Sequence, residues 1–118
     1  MKSLVRVLSL GLMSGVVSAG GLFGAQTASA DEVGFLVNTF VRPGYNFPNA
    51  EAAITYGRSI CIRVEAKMGY TELVNQVKSD FRTTDYYQAG YLINQAVEEL
   101  CPTQIWQLRQ SAAGFIPT

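Results

Sequence analysis

Histidine is absent from the sequence, and cysteine occurs only twice, at positions 61 and 101. Without histidine, Ser-His-Asp and Cys-His arrangements are excluded, and acid-base chemistry would fall to carboxylates, lysine or tyrosine. Two cysteines and no histidine also fail to supply the four ligands of a structural zinc site. Charge is sparse and even, with nine Lys plus Arg against nine Asp plus Glu. Such a balance offers no electrostatic footprint for nucleic acid. Arg58, Arg63 and Lys67 do fall close together, but Glu65 is interleaved with them and breaks up the basic edge. Phosphate-binding loops, EF-hand loops, Asn-x-Ser/Thr sequons and the alternating pattern of a β-strand are missing as well. No carboxylate has a convincing catalytic partner: Asp80 and Asp85 flank a helix boundary as cap and loop residues, and Glu65, Glu98 and Glu99 fall on solvated helix faces. The chain is therefore read as non-catalytic, with no cofactor and no metal.

The only long apolar run lies at the start. Lys2 and Arg6 precede a segment rich in Leu and Val, and Ala28-Ser29-Ala30 forms an A-x-A site. These are the three parts of a secretory signal peptide. Ser9, Gly11, Ser14, Gly15, Ser18, Gly20 and Gly21 interrupt the run, which falls short of the roughly 20 strongly apolar residues of a membrane anchor. Residues 1–30 are expected to be removed, leaving no transmembrane segment and a protein that is secreted or held at the cell envelope. Loss of Lys2 and Arg6 takes the formal charge from zero to −2. Export places Cys61 and Cys101 in an oxidising compartment as an even pair, so a disulfide is expected between them. Closing a loop of about 40 residues is worth roughly 4 kcal/mol in the chain-entropy model, a useful addition for a domain whose small core gives limited stability.

The periodicity from Asp31 onward predicts an all-α bundle of about four helices. Val33, Leu36, Val37, Phe40 and Val41 follow the helical rule for a first inward stripe. Pro43-Gly44 ends that helix, and residues 42–48 form a loop. Asn49 caps a second helix with Ala50, Ala53, Ile54, Gly57, Cys61, Val64 and Met68 inward, which Gly69 stops. Thr71 is the expected cap of a third, through Leu73, Val74, Val77 and Phe81. Asp85 with Gln88 reads as a capping box opening a fourth, with Tyr86, Ala89, Gly90, Ile93, Ala96, Val97 and Leu100 inward. At about 100° per residue, Gly57 and Gly90 lie within roughly 40° of the cysteine direction on their helices. Close helix approach is the expected reason for both, with Gly90 near the level of Ala50. Residues 31–102 thus make a disulfide-stapled domain. Residues 103–118 make a C-terminal tail, with a brief helical turn around Ile105, Trp106 and Leu108.

Asp31, Phe35-Leu36, Ala53-Ile54, Gly57, Cys61, Gly69, Ala89, Leu92-Ile93, Ala96-Val97 and Cys101-Pro102 occur in an order that resembles a small secreted mycobacterial family known as domain of unknown function 732. The resemblance covers about residues 31–102. It implies an exported helical domain with a disulfide and no assigned activity, and it carries over no catalytic residue. The Tyr86-Tyr87 pair and the residues after Pro102 depart from the pattern.

Aromatic residues are the one enrichment: six Tyr, six Phe (Phe23 alone within the leader) and Trp106. Two uses are open to Tyr45, Phe47, Tyr56, Tyr70, Tyr86, Tyr87 and Tyr91, which either complete a thin core or line a groove. Tyr87 and Tyr91, one turn apart and away from the inward stripe, form with Trp106 the candidate contact surface. The first functional reading is a binding or interaction module whose partner is an unknown protein or envelope component. The alternative is a carrier of a small apolar ligand, lipid or haem, in a Tyr-lined groove.

Overall fold

The structure is a computed structural model that describes residues 29–117. The expected leader falls almost entirely outside that range. Five α-helices form, in the order α1 (Ala30–Thr39), α2 (Ala50–Glu65), α3 (Tyr70–Asp80), α4 (Tyr86–Leu100) and α5 (Ile105–Ala112), with a 3-10 turn at Pro102–Gln104 leading into α5. The described residues contain no strand. α4 is the central element: Ala89, Leu92, Ile93, Ala96 and Val97 are wholly buried on it, and α1, α2 and α3 pack around it.

The stripes of α2, α3 and α4 follow their apolar periodicity, with Ile60 and Leu92 joining the expected core residues. Asn49 caps α2, its side chain accepting from the Ala52 amide at 2.8 Å. Asp85 caps α4 by accepting from the Tyr87 amide at 2.9 Å. The cap of α4 is a single bond, because Gln88 lies against Gly44 of the α1–α2 loop instead of turning back. Helix α3 starts two residues earlier than expected, with Gly69 at its N-cap and no side-chain cap, so Thr71 is not the cap. The stop of α2 is Lys67 rather than Gly69. Lys67 takes φ 66°, its amide donating to Val64 O and the Met68 amide to Arg63 O. Arg82 does the same after α3 at φ 53°, with Arg82 N bonded to Ser79 O and Thr83 N to Lys78 O. Both pairs close the terminal carbonyls in the Schellman pattern, whose hydrogen bonds override the preference for glycine at the left-handed position.

Helix α1 is rotated from its expected phase. Its buried residues are Phe35 and Thr39, whereas Val33, Val37 and Val41 are exposed. Leu36 and Phe40 pack at the margin of the core. The reason is the shape of the opposite wall: Gly57 leaves a hole that the Phe35 ring fills. A Cβ at Gly57 would lie 2.6 Å from Leu100 Cδ1 and 2.7 Å from Phe35 Cζ. The Phe35 ring is long and flat enough to fill that hole at native packing density, whereas a valine side chain is too short to reach it. Thr39 is accommodated because its hydroxyl donates to Phe35 O at 2.7 Å.

Cys61 and Cys101 are joined, with S–S 2.08 Å and Cα atoms 6.1 Å apart. Arg58, one turn before Cys61, donates to Leu100 O at 3.1 Å and pairs with Glu32 at 3.1 Å. It thereby places a cation on the C-terminal end of α4. Residues 103–117 also join the fold: Leu108 enters the core at 5 % exposure, and Phe115 packs edge-on against Tyr70 with ring centres 4.9 Å apart.

The two mid-helix glycines differ in kind. Gly57 is the close contact expected, although side chains and not a backbone approach it. Gly90 is buried, but a Cβ there would meet only Tyr70 Oη at 3.4 Å, so it faces α3 and is not needed for packing against α2. Gly57→Ala should therefore destabilise the domain by about 1–3 kcal/mol through overpacking. Gly90→Ala should be neutral, or stabilising by up to about 1 kcal/mol from helix propensity. Urea unfolding of the two variants checks this, and equal losses would refute the distinction.

Candidate functional site

The aromatic residues separate into two groups. Tyr45 and Phe47, on the α1–α2 loop, close with Tyr56 of α2 and Phe81 at the end of α3 into a four-ring cluster. Phe81 meets Tyr45, Phe47 and Tyr56 edge-on at 5.3, 5.5 and 5.0 Å. The polar tips are used internally: Tyr45 donates to Gln88 O and Tyr56 to Asp80 Oδ2. This group is structural, and it pins the α1–α2 loop against α4.

Tyr70, Tyr86, Tyr87 and Tyr91 form the second group and line a groove of about 370 Å³ with Arg42, Gly90 and Asn94. Successive helix positions build it. Tyr70 opens α3, the first turn of α4 carries Tyr86 and Tyr87, and one turn later Gly90 and Tyr91 supply floor and wall. The Tyr86 and Tyr87 rings lie 4.2 Å apart at 32°, and Phe115 braces Tyr86 from behind at 5.8 Å. Tyr91 is fixed at both ends of its reach. Its hydroxyl donates to Asn38 O at 3.3 Å, and the Arg42 guanidinium lies 3.8 Å over its ring. Tyr87 stands at the mouth with 71 % of its surface exposed.

A second depression of about 340 Å³ adjoins the first, lined by Arg42, Pro43, Gly44, Asp85, Tyr87 and Gln88. Arg42 and Tyr87 border both, so the two lie side by side along the N-terminal half of α4 and are together called the cleft. A third depression, more open and larger at about 460 Å³, lies on α2 around Asn49, Ala52 and Tyr56 with mainly apolar walls.

The contact surface expected from sequence is thus divided. Tyr87 and Tyr91 share the cleft, Tyr91 as a held wall and Tyr87 as an open platform. Trp106 is also 71 % exposed, but it is not among the cleft's lining residues; Arg109 of its own helix lies 5.3 Å from its ring. Periodicity missed Arg42 and Asn94. A loop brings Arg42 to the site, and Asn94 carried no signal beyond being polar on a helix.

The family model for proteins of unknown function DUF732 matches residues 25–103. The chain belongs to that family. The match spans α1 to α4, the disulfide and the cleft, and ends within the turn that leads to α5. No curated protein and no solved structure matches the chain. Membership in DUF732 carries no assigned activity, so the chemistry of the site rests on its own residues. Among the described residues, no group of three or more potential metal ligands is present.

Burial pushes the Tyr45 phenol up to about 12, and burial together with the hydrogen bond to Asp80 raises Tyr56. Burial also raises Tyr70, and the neighbouring Tyr87 phenol raises Tyr86. The folded chain keeps protons on Tyr45 and Tyr56 that the unfolded chain releases near pH 10. Their contribution to stability is therefore full below about pH 10 and is lost as pH rises toward 12. Urea midpoints measured from pH 9 to 12 should fall across that window, and less steeply for Tyr45→Phe than for wild type. Parallel falls would show that Tyr45 is not one of the groups responsible.

Proposed function

We propose that the protein is exported, loses residues 1–30, and acts outside the cytoplasm as a non-catalytic binding domain whose contact site is the tyrosine cleft on α4. The basic start, apolar run and A-x-A site support export. So does the disulfide, and none of the described helices is long and apolar enough to cross a membrane. Cleavage after Ala30 would remove Ser29, which in the uncleaved chain forms a capping box with Glu32. In the released chain Arg58 would then hold Glu32 and the start of α1.

The cleft's construction carries this reading. Its rings are positioned by contacts with Phe115, Arg42 and Asn38, while Tyr87 remains open to solvent. Immobilised aromatic surface with polar tips is the material of recognition sites, since little side-chain entropy is lost on contact. The same residues offer no nucleophile beside a base. Carriage of lipid or haem has less support, because the tyrosine cleft is open and substantially polar and the apolar depression on α2 is more open still.

Fractionation of the native host tests the proposal. The wild-type chain should sediment in part with the envelope, and Tyr87→Ser, folded with an unchanged thermal midpoint, should shift severalfold toward the culture fluid. Equal partition of the two chains would overturn the assignment of the site.

A further inference from the structure

The chemistry of the cleft narrows the class of ligand, on the premise that the cleft is the binding site. Its wall alternates two kinds of surface. The first is phenol ring, from Tyr87, from Tyr86 stacked against it, and from Tyr70. The second is planar polar side chain, with Arg42, Asn94, Gln88 and Asp85 spaced along the same two depressions. An apolar cargo would match the rings and strand the polar groups, whose desolvation without partners is costly. A polyanion would meet one guanidinium and one carboxylate, far short of the row of cations that phosphate backbones require. An extended peptide adding to a sheet has no edge to join, since the described residues hold no strand.

A sugar chain matches both surfaces at once. A pyranose ring carries an apolar face of C–H bonds that stacks on a phenol, and a rim of vicinal hydroxyls that both donate and accept. Guanidinium, carboxamide and carboxylate groups satisfy such pairs two bonds at a time. The two depressions lie on either side of the shared Arg42 and Tyr87, a spacing that successive rings of one chain would need. Gly90 completes the fit. It forms part of the groove where packing would accept a methyl group, so its missing side chain leaves room beside Tyr70 and Tyr91 rather than closing a helix contact. We propose that the cleft binds a neutral, hydroxyl-rich glycan chain, one ring against the exposed Tyr87 phenol and the next beside Arg42 and Asp85.

The test uses the oxidised chain from Asp31 to Thr118 and insoluble envelope from its host in four forms: untreated, protease-digested, periodate-oxidised then borohydride-reduced, and mock-treated. Periodate cleaves the carbon–carbon bond of vicinal diols and so destroys sugar rings. The expected result is capture by untreated and protease-digested envelope, loss on periodate-treated envelope, and about tenfold weaker capture of Tyr87→Ser and Asn94→Ala at unchanged thermal midpoints. Trp106→Ser, outside the cleft, should bind as wild type. Capture abolished by protease, or surviving periodate, would overturn the glycan while leaving the binding reading in place. Capture by no form of envelope would remove both.

Discussion

Phe35, Gly57 and Leu100 meet at a single point, and α1, α2 and α4 can close on one another only because residue 57 has no side chain. The next positions of α2 repeat the tie. Arg58 bonds the Leu100 carbonyl, and one turn later Cys61 is joined to Cys101. Three successive contacts from one helix therefore fix the last residues of α4. The covalent one, worth roughly 4 kcal/mol in the chain-entropy model, is comparable with the lower end of a whole domain's stability. With its C-terminal end held, α4 has its other half available as a platform, and that half carries the cleft.

The aromatic residues are distributed by the same division of labour. Where the α1–α2 loop crosses the start of α4, Tyr45 and Phe47 turn inward and lock with Tyr56 and Phe81. Their hydroxyls, where they have them, are consumed by internal acceptors. Locking that loop sets Arg42 in place over Tyr91. The structural rings thus position the cleft without lining it. Phe115 does the equivalent from the other end of the chain, so residues beyond the span matched by the family contribute support to the site through Tyr70 and Tyr86.

Much of this is legible in the residues. Asn49 and Asp85 announce helix starts because a side-chain oxygen at that position satisfies amides that the helix itself leaves unpaired. The stripes of α2 to α4 follow from period 3.6, and an even pair of cysteines behind a leader-like segment is enough for the disulfide. Periodicity misreads helix α1 because a stripe of valines and a single phenylalanine compete on equal terms in a residue count, whereas the hole at Gly57 decides between them in three dimensions. Lys67 and Arg82 give no warning either. Their left-handed conformations are imposed by backbone hydrogen bonds, to which the side chain contributes nothing. The cleft is half visible: Tyr87 and Tyr91 stand out together, whereas Tyr86 reads as part of the inward stripe, although at about 100° per residue positions 86, 87, 90, 91 and 94 share one face roughly 140° wide.

Gly57 and Gly90 carry the same helix-propensity cost, up to about 1 kcal/mol each relative to alanine, and only one of them has a packing reason for it. At Gly57 a methyl group would collide with two core side chains. At Gly90 it would touch one phenol oxygen at an ordinary distance and occupy the groove. Stability alone would favour alanine there, and a local concession without a structural return is most often found where a site has its own requirement. The vacancy at Gly90 thus bears on the proposed site as much as the tyrosines around it do. On the proposed reading the rings give a ligand something to stack on, and the missing side chain leaves it room.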